Sequence, residues 1–219
     1  GRILRSMGLG QRIAQKAQQQ SERIERERAE FNFQSIDSWV PTNSRVLDVG
    51  AWTCYLGQLL RDRKRCQMLG VDVTDARKAD IPFQQFDGRT LPVQSGSYDV
   101  ILLLYVLHHA ADDESLLNES KRALSDQGRL LVAEDSVDGL WNTILTLGFH
   151  VWLRLITKMT RDGEFRKTDQ WHEHFRKAGF CVRETIPLGH HIGGFLWPRN
   201  VLFVLEKQTN PAPLRQQTA

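Results

Sequence analysis

Three acidic residues that follow short apolar runs could bind a nucleotide-like ligand. Asp48 lies where a run starting at Arg45 leads through Gly50 into leucines at helical spacing. Asp72 ends a second apolar run 24 residues later (72 − 48 = 24). That interval is close to the ~20 residues that separate a glycine turn from a ribose-binding acid in nucleotide-binding units. Asp87 ends the third segment, and the spacing predicts that Asp72 accepts ribose hydroxyls.

Alternating strands and helices are needed to place these acids at one edge of a sheet. The apolar run at 46–49 suits a strand that is covered on both faces, and leucines recur at helical spacing over 56–60. Further strand patterns occur at 67–73, 83–87, 97–107, 128–135 and 201–205. Open parallel sheets bind ligands beyond the carboxyl ends of their strands. The pattern therefore predicts an α/β protein with its ligand site at that edge.

The glycine turn does not match the dinucleotide-binding fingerprint. No Gly-x-Gly-x-x-Gly occurs in the chain, and the turn after the first strand runs Gly50-Ala-Trp-Thr-Cys54. That fingerprint lets the backbone approach a pyrophosphate. NAD and FAD are therefore not expected.

Taken in order, the motifs resemble those of class I S-adenosylmethionine-dependent methyltransferases, in particular the type 11-like subgroup that acts mostly on small molecules. The resemblance covers roughly residues 35–207. It rests on the glycine turn, the acid-ended second strand, Asp87-Gly88 before Leu91-Pro92, the strand from Tyr98-Asp99 to His108-His109, the strand ending in Glu134-Asp135, and the segment Gln170 to Phe180. It implies a doubly wound, Rossmann-like sheet of seven strands, one of them antiparallel, with helices on both faces and a helical cap. The implied reaction moves a methyl group from S-adenosylmethionine to an O, N or C atom of a small organic acceptor, which leaves S-adenosylhomocysteine.

The resemblance also implies which residues hold the cofactor. It gives the methionine end to Asp48, Gly50 and Ala51, the ribose to Asp72, the adenine to Asp87 and Gly88, and the ammonium group to the carbonyls of Leu103 and Leu104; Trp52 and Val73 complete the set. All of these residues lie at the carboxyl ends of predicted parallel strands, where such sheets bind ligands.

The turn departs from the family pattern of acid-x-Gly-x-Gly-x-Gly at two positions. Trp52 and Cys54 stand where the second and third glycines belong. Glycine permits positive φ and close approach to a ligand. The Trp52 indole must therefore swing away, cover the cofactor, fill its pocket, or pack in the core under the first helix. The alternative function is a non-catalytic, methyltransferase-like binding module whose cofactor site is altered.

Several groups at the same edge could accept a proton from the methyl acceptor. His108 and His109 follow the fourth strand, and imidazole titrates near neutral pH. Glu134 and Asp135 end the fifth strand, although helix capping or surface exposure is the alternative role for at least one of them. No Asp, Glu or further His stands at ligand spacing beside His108-His109 or beside His190-His191, so no metal is expected.

The segment 137–168 is predicted to form the cap. In the family such insertions cover the substrate pocket, so a lining for an aromatic or lipophilic acceptor is expected from Trp141, Phe149, Trp152, His190 and His191. The aromatic residues could instead only pack the cap against the sheet. A third alternative is weak contact with a membrane surface through a basic amphipathic helix. Polar residues interrupt the segment too often for a membrane span.

Composition limits the remaining choices. With 219 residues, 41% hydrophobic and 25% charged, the chain suits one globular core. A net charge of +3 without arginine clusters among aromatic residues gives no support for nucleic-acid binding. Three widely spaced cysteines and no signal-peptide pattern favour a reducing cytoplasm. The oligomeric state stays open.

Three regions are predicted along the chain. Residues 1–34 form a charged helical extension, either a solvated helix, a flap over the cofactor or an oligomer contact. Residues 35–207 form the methyltransferase-like domain. Residues 208–219 carry two prolines and no apolar periodicity, which predicts a disordered tail.

Overall fold

The computed structural model describes residues 9–157, 165–190 and 199–208, and within them it contains seven strands and five α-helices. In chain order the elements are α1 (Leu9–Ile36), β1 (Arg45–Val49), α2 (Tyr55–Lys64), β2 (Gln67–Asp72), β3 (Phe83–Gln85), β4 (Tyr98–Leu104), α3 (Asp113–Ala123), β5 (Leu124–Asp135), α4 (Leu140–Thr157), α5 (Thr168–Lys177), β6 (Phe180–His190) and β7 (Arg199–Lys207). Single 3-10 turns follow α1 at Asp37–Trp39 and β4 at Leu107–His109.

The strands form one sheet in the order β3-β2-β1-β4-β5-β7-β6. Strands β1 to β5 pair in parallel, and β7 runs antiparallel to both of its neighbours. This arrangement confirms the predicted doubly wound sheet with its antiparallel strand at 201–205. The order reverses between β1 and β4, and such a switch point opens a crevice at the carboxyl ends of the two strands.

The core consists of two apolar layers, one on each face of the sheet. Alternate residues of a strand point to opposite faces. Val46 therefore joins the layer under α1 and α2, whereas Leu47 joins the layer under α3 and α5. The second layer is centred on Trp171 and Phe175, two buried aromatic residues of α5. Both faces of β1 are buried in this way, so its carboxyl end is held rigidly.

Helix α1 is longer and better packed than the charge pattern predicted. It runs from Leu9 past the expected boundary at residue 34 to Ile36, and it buries Ala29, Phe33 and Ile36. These three residues lie at helical spacing and join the apolar layer that also contains Leu60 of α2. The second half of α1 is therefore part of the domain, and a fully solvated helix is wrong for it.

Two further predicted regions are only partly described. Residues 158–164 of the cap and 209–219 of the tail lie outside the described residues. Of the helices that the structure describes, none has the length and apolar character needed to cross a membrane.

Candidate cofactor and active site

The turn between β1 and α2 adopts left-handed backbone at each position where the family has glycine. The φ angle is 78° at Gly50, 46° at Trp52 and 60° at Cys54. For a residue with a Cβ atom, this conformation costs roughly 1–2 kcal/mol of conformational free energy. The chain thus keeps the shape of a glycine-rich turn although it has replaced two of the three glycines.

Close packing explains why the turn holds this shape. The backbone N–H groups of Gly50 and Ala51 donate to the carbonyl of Val71 at 2.8 and 3.2 Å. A Cβ atom at Gly50 would lie 2.5 Å from Cγ2 of Val106. One at Gly70 of β2 would lie 2.9 Å from Cβ of Ala51. The turn therefore lies over the end of β2, close to Asp72.

Asp72 is buried at the end of β2 and fastens the turn. Its Oδ2 accepts the backbone N–H of Trp52 at 2.9 Å, and its Oδ1 accepts that of Thr74 at 3.3 Å. A carboxylate has about four lone-pair positions, so Asp72 keeps acceptor capacity for two hydroxyl groups. The N–H contacts also fix its orientation before any ligand arrives.

Asp48 lies beneath the same turn, also buried. Burial, and then the nearby charge of Asp72, raise the pKa of Asp48 to about 7. A buried carboxyl near neutrality loses its proton readily when a cation approaches. The site therefore suits a ligand that carries positive charge.

Two exposed apolar side chains flank Asp72. Trp52 is 55% exposed, so packing of its indole in the core is wrong. Val73 is also exposed, and a Cβ atom at Gly88 would lie 3.2 Å from its Cγ1. Asp87 Oδ1 accepts the backbone N–H groups of Arg89 and Thr90, each at 2.8 Å, and these bonds hold the pKa of Asp87 low. Val73, Asp87 and Gly88 thus surround one side of the crevice.

The end of β4 forms the opposite side. Leu103 is buried and pairs with Val49, and Leu104 is partly buried. Tyr105 then turns the chain with a φ of 61°, and its N–H donates to the carbonyl of Ala133 at 2.7 Å. The backbone of Leu103 and Leu104 therefore ends beside the glycine turn.

A buried histidine and glutamate lie next to this crevice. His108 Nδ1 bonds to Oε2 of Glu134, and Oε1 of Glu134 accepts the backbone N–H of Leu107 at 2.8 Å. Burial lowers the pKa of His108, but the charge of Glu134 and the hydrogen bond outweigh it, so the net pKa is raised. The His109 ring stands 3.9 Å from that of His108, centroid to centroid. Glu134 thus anchors the Leu107–His109 turn from the neighbouring strand.

The surface role weighed for Glu134 and Asp135 is wrong. Both side chains are buried, and Asp135 Oδ1 accepts an amide proton of Asn200 at 2.6 Å. The sequence did not reveal the pairing of Glu134 with His108. The only signal that pointed to it is that β4 and β5 are adjacent, with His108 in the turn after β4 and Glu134 at the end of β5.

The predicted acceptor-pocket residues are only partly placed. Trp141 is 61% exposed, so it does not pack α4 against the sheet. The backbone of Phe149 and Trp152 lies in α4, but their side chains are outside the described set, and so is all of His191. His190 ends β6, paired with Arg199, rather than lying in a loop. Within the described residues, no three side chains are grouped to hold a metal ion.

The strand order, the switch-point crevice and the glycine-type turn are those of the class I S-adenosylmethionine-dependent methyltransferase fold. A family model described as a methyltransferase domain matches residues 13–185. The chain belongs to that family. The acids fit the cofactor, because Asp72, buried at the end of β2, keeps acceptor capacity for two hydroxyl groups, and Asp48 is buried near the end of β1.

Curated relatives and solved structures agree with this class. The demethylmenaquinone methyltransferase of Thermus thermophilus is 28% identical over 102 residues, which are 41% of this chain and 46% of that protein. The chain spans less than half of the curated relatives it matches. A Thermotoga maritima structure described as an S-adenosylmethionine-dependent methyltransferase, possible histamine N-methyltransferase, has a TM-score of 0.63 and 20% identity, covering 87% of this chain and 96% of that one. A Mesorhizobium loti S-adenosylmethionine-dependent methyltransferase has a TM-score of 0.60 and 14% identity, covering 81% and 98%. These structural likenesses show the fold.

Proposed function

We propose that this protein transfers a methyl group from S-adenosylmethionine to an O, N or C atom of a small, lipophilic organic acceptor. The observation that carries the proposal is the turn after β1, which keeps left-handed backbone at Trp52 and Cys54 and is fastened to Asp72. Such strained backbone persists where the surroundings impose it, and it clusters at ligand sites. The match to a demethylmenaquinone methyltransferase favours an aromatic, lipophilic acceptor.

In this proposal, different residues around the crevice bind different parts of the cofactor. Asp72 accepts the ribose hydroxyls, and Asp48 faces the positively charged methionine end. Val73, Asp87 and Gly88 line the adenine side, while the carbonyls of Leu103 and Leu104 accept the ammonium group. Gly50 and Ala51 supply the close backbone approach, and the exposed indole of Trp52 covers the bound cofactor.

Catalysis in this proposal depends mainly on placement. The cofactor supplies an electrophilic methyl group on its sulfonium, and holding an acceptor in line with it provides much of the rate enhancement. His108 is enclosed and bonded to Glu134, so we assign it to holding the turn that carries His109. His109 is only partly buried, and it is our candidate for removing a proton from the acceptor.

A reducing, cytoplasmic location is part of the proposal. Cys54 and Cys66 are buried free thiols, and burial, followed by the charge of Asp48, raises the pKa of Cys54 to about 12. Thiols with so high a pKa react slowly, as expected of structural cysteines.

Binding of the cofactor is the first test of this function. We expect S-adenosylmethionine and S-adenosylhomocysteine to bind with micromolar affinity and to raise the free energy of unfolding by ~2.7 kcal/mol at 100 times the dissociation constant. Thermal denaturation with each compound measures the effect, with adenosine and methionine as controls. No shift with either compound at millimolar concentration would favour the non-catalytic alternative. Methyl transfer from labelled cofactor to hydroquinones, compared with imidazole amines, then tests the acceptor class.

Substitution of Trp52 tests whether its indole covers or blocks the cofactor. We expect Trp52→Gly to weaken S-adenosylmethionine binding roughly two- to tenfold, because an aromatic contact of about 0.5–1.5 kcal/mol is lost. The free energy of unfolding should change by less than ~1 kcal/mol, since relief of the left-handed strain offsets the greater chain entropy of glycine. Isothermal titration calorimetry and chemical denaturation separate the two effects.

Trp52→Phe is the matched control, because it keeps an aromatic ring on the same backbone. Its affinity should stay near that of the parent. Tighter binding by Trp52→Gly than by the parent would show that the indole occupies cofactor space, which would overturn the covering role.

A further inference from the structure

Helix α1 contacts residues on both sides of the crevice. On one side, Cζ of Arg26 lies 4.1 Å from the ring centroid of Tyr55, the first residue of α2 after the glycine turn. On the other side, Cζ of Arg28 lies 5.1 Å from the ring centroid of Tyr105, which directly follows β4. These two contacts place this part of α1 beside the carboxyl ends of β1 and β4.

The two arginines differ in how their charge is balanced. Arg26 donates to Oε1 of Glu22 through Nε and Nη2, at 3.1 and 2.9 Å. The hydroxyl of Tyr55 donates to the same oxygen at 3.1 Å. Arg28 lies in a similar way over an aromatic ring, but the residue four positions before it is Ile24. The helix therefore supplies a carboxylate to one arginine and none, at the matching position, to the other.

The other glutamates near Arg28 in α1 already have basic partners. The pairs are Glu25 with Lys78, Glu27 with Arg23, and Glu30 with Arg63. In the part of the chain that the structure describes, no carboxylate lies within ion-pair distance of Arg28. Its side chain is exposed, so a ligand in the crevice can reach the guanidinium.

The ring of Tyr105 provides a support for this guanidinium. Tyr105 is partly buried and packs against the apolar layer under α1 and α2. An arginine can rest on an aromatic ring while N–H groups at the edge of the guanidinium bind a carboxylate in a two-pronged contact. Burial raises the pKa of Tyr105, and the charge of Arg28 partly offsets this rise. The positive charge therefore acts at the end of β4.

The cofactor would bring a carboxylate to this point. The methionine end of S-adenosylmethionine carries its ammonium and carboxylate groups on one carbon atom. The proposed function assigns the ammonium group to the carbonyls of Leu103 and Leu104, which directly precede Tyr105, and it leaves the carboxylate without a partner. We propose that Arg28 binds this carboxylate, so that α1 forms part of the cofactor site. This assignment rests on the proposed function, because it requires the methionine end to lie at the end of β4.

Substitution of Arg28 tests the assignment by isothermal titration calorimetry with S-adenosylhomocysteine, without any methyl transfer. We expect Arg28→Gln to weaken binding about tenfold, because charge-assisted hydrogen bonds are lost. Arg28→Lys keeps the charge but not the planar fork, so it should weaken binding less. Arg23→Gln is the matched control, since Arg23 is an exposed arginine of the same helix that is paired with Glu27. Its affinity should equal that of the parent.

An analogue of S-adenosylhomocysteine in which hydrogen replaces the carboxylate separates a direct contact from a general loosening of α1. The parent should bind this analogue about tenfold more weakly than S-adenosylhomocysteine. Arg28→Gln should bind the two compounds with nearly equal affinity, because the partner of the carboxylate is already gone. Circular dichroism of the free variants checks that the helix is retained.

Two results would overturn the assignment while the proposed function stands. One is unchanged affinity for S-adenosylhomocysteine in a folded Arg28→Gln variant. The other is an equal loss for S-adenosylhomocysteine and for the analogue, which would show that Arg28 acts through the position of α1. A parent protein that binds neither compound would contradict the proposed function itself, and the assignment of Arg28 with it.

Discussion

Glu134→Ala should destabilise the protein by roughly 3–5 kcal/mol, because it leaves buried partners without their acceptor. Glu134 binds Nδ1 of His108 and the backbone N–H of Leu107 from inside the sheet. Such a loss is a large part of the ~5–15 kcal/mol that a typical domain possesses. Urea denaturation followed by circular dichroism measures it.

The effect should depend on pH in a defined direction. The pKa of His108 is raised in the fold, so the stabilisation by Glu134 is fully present below about pH 6.5, the ordinary histidine value. It declines as the pH rises through the raised pKa. Glu134→Ala should therefore cost more at pH 6 than at pH 9.

Two further variants make this test specific. Glu134→Gln keeps an acceptor for Leu107, so it should destabilise less than the alanine variant. Glu173→Ala removes a glutamate from the exposed ion pair with Arg176 and should leave the free energy of unfolding nearly unchanged. A similar loss from Glu134→Ala and Glu173→Ala would contradict the anchoring role.

The apolar runs in the sequence were enough to predict the strands of the sheet. The strands β1, β2 and β4 are short apolar runs, and both of their faces are buried. The pattern therefore predicted the ends of β1 and β2 to within one residue, whereas the expected end of β4 at residue 107 lies three residues beyond Leu104. The boundary of α1 was missed because charged residues dominate its middle, whereas three well-spaced apolar residues decide its packing.

The sequence predicted features of the site that depend on a residue's place along the chain. It did not predict features that depend on contacts between strands. Asp72 was predicted to end a strand at a defined interval from the turn, and it does end β2. The left-handed backbone at Trp52 and Cys54 could not be expected from their residue types, since side chains with a Cβ atom disfavour it. Packing of Ala51 against Gly70 and the bond from Trp52 to Asp72 impose it. The bond between His108 and Glu134 likewise appears only when β4 and β5 lie side by side.

Asp72→Ala should weaken S-adenosylmethionine binding by about 1.5–3 kcal/mol, roughly ten- to a hundredfold, because charge-assisted bonds to the ribose hydroxyls are lost. The chain should still fold, since the apolar layers on both faces of the sheet do not involve this side chain. Isothermal titration calorimetry gives the affinity. Asp75→Ala is the matched control, because Asp75 follows the same strand but is engaged by Arg77 at the surface, and its affinity should equal that of the parent.

Asp72 also holds the N–H of Trp52, so a loss of affinity could come from a loosened turn rather than from a missing ribose contact. A cofactor analogue without ribose hydroxyls separates the two causes. If Asp72 binds the ribose, Asp72→Ala and removal of the hydroxyls should each weaken binding, and their combination should weaken it little more than either alone. If the turn alone is affected, the two losses should add. Additive losses, or unchanged affinity in a folded Asp72→Ala variant, would show that Asp72 does not bind the ribose.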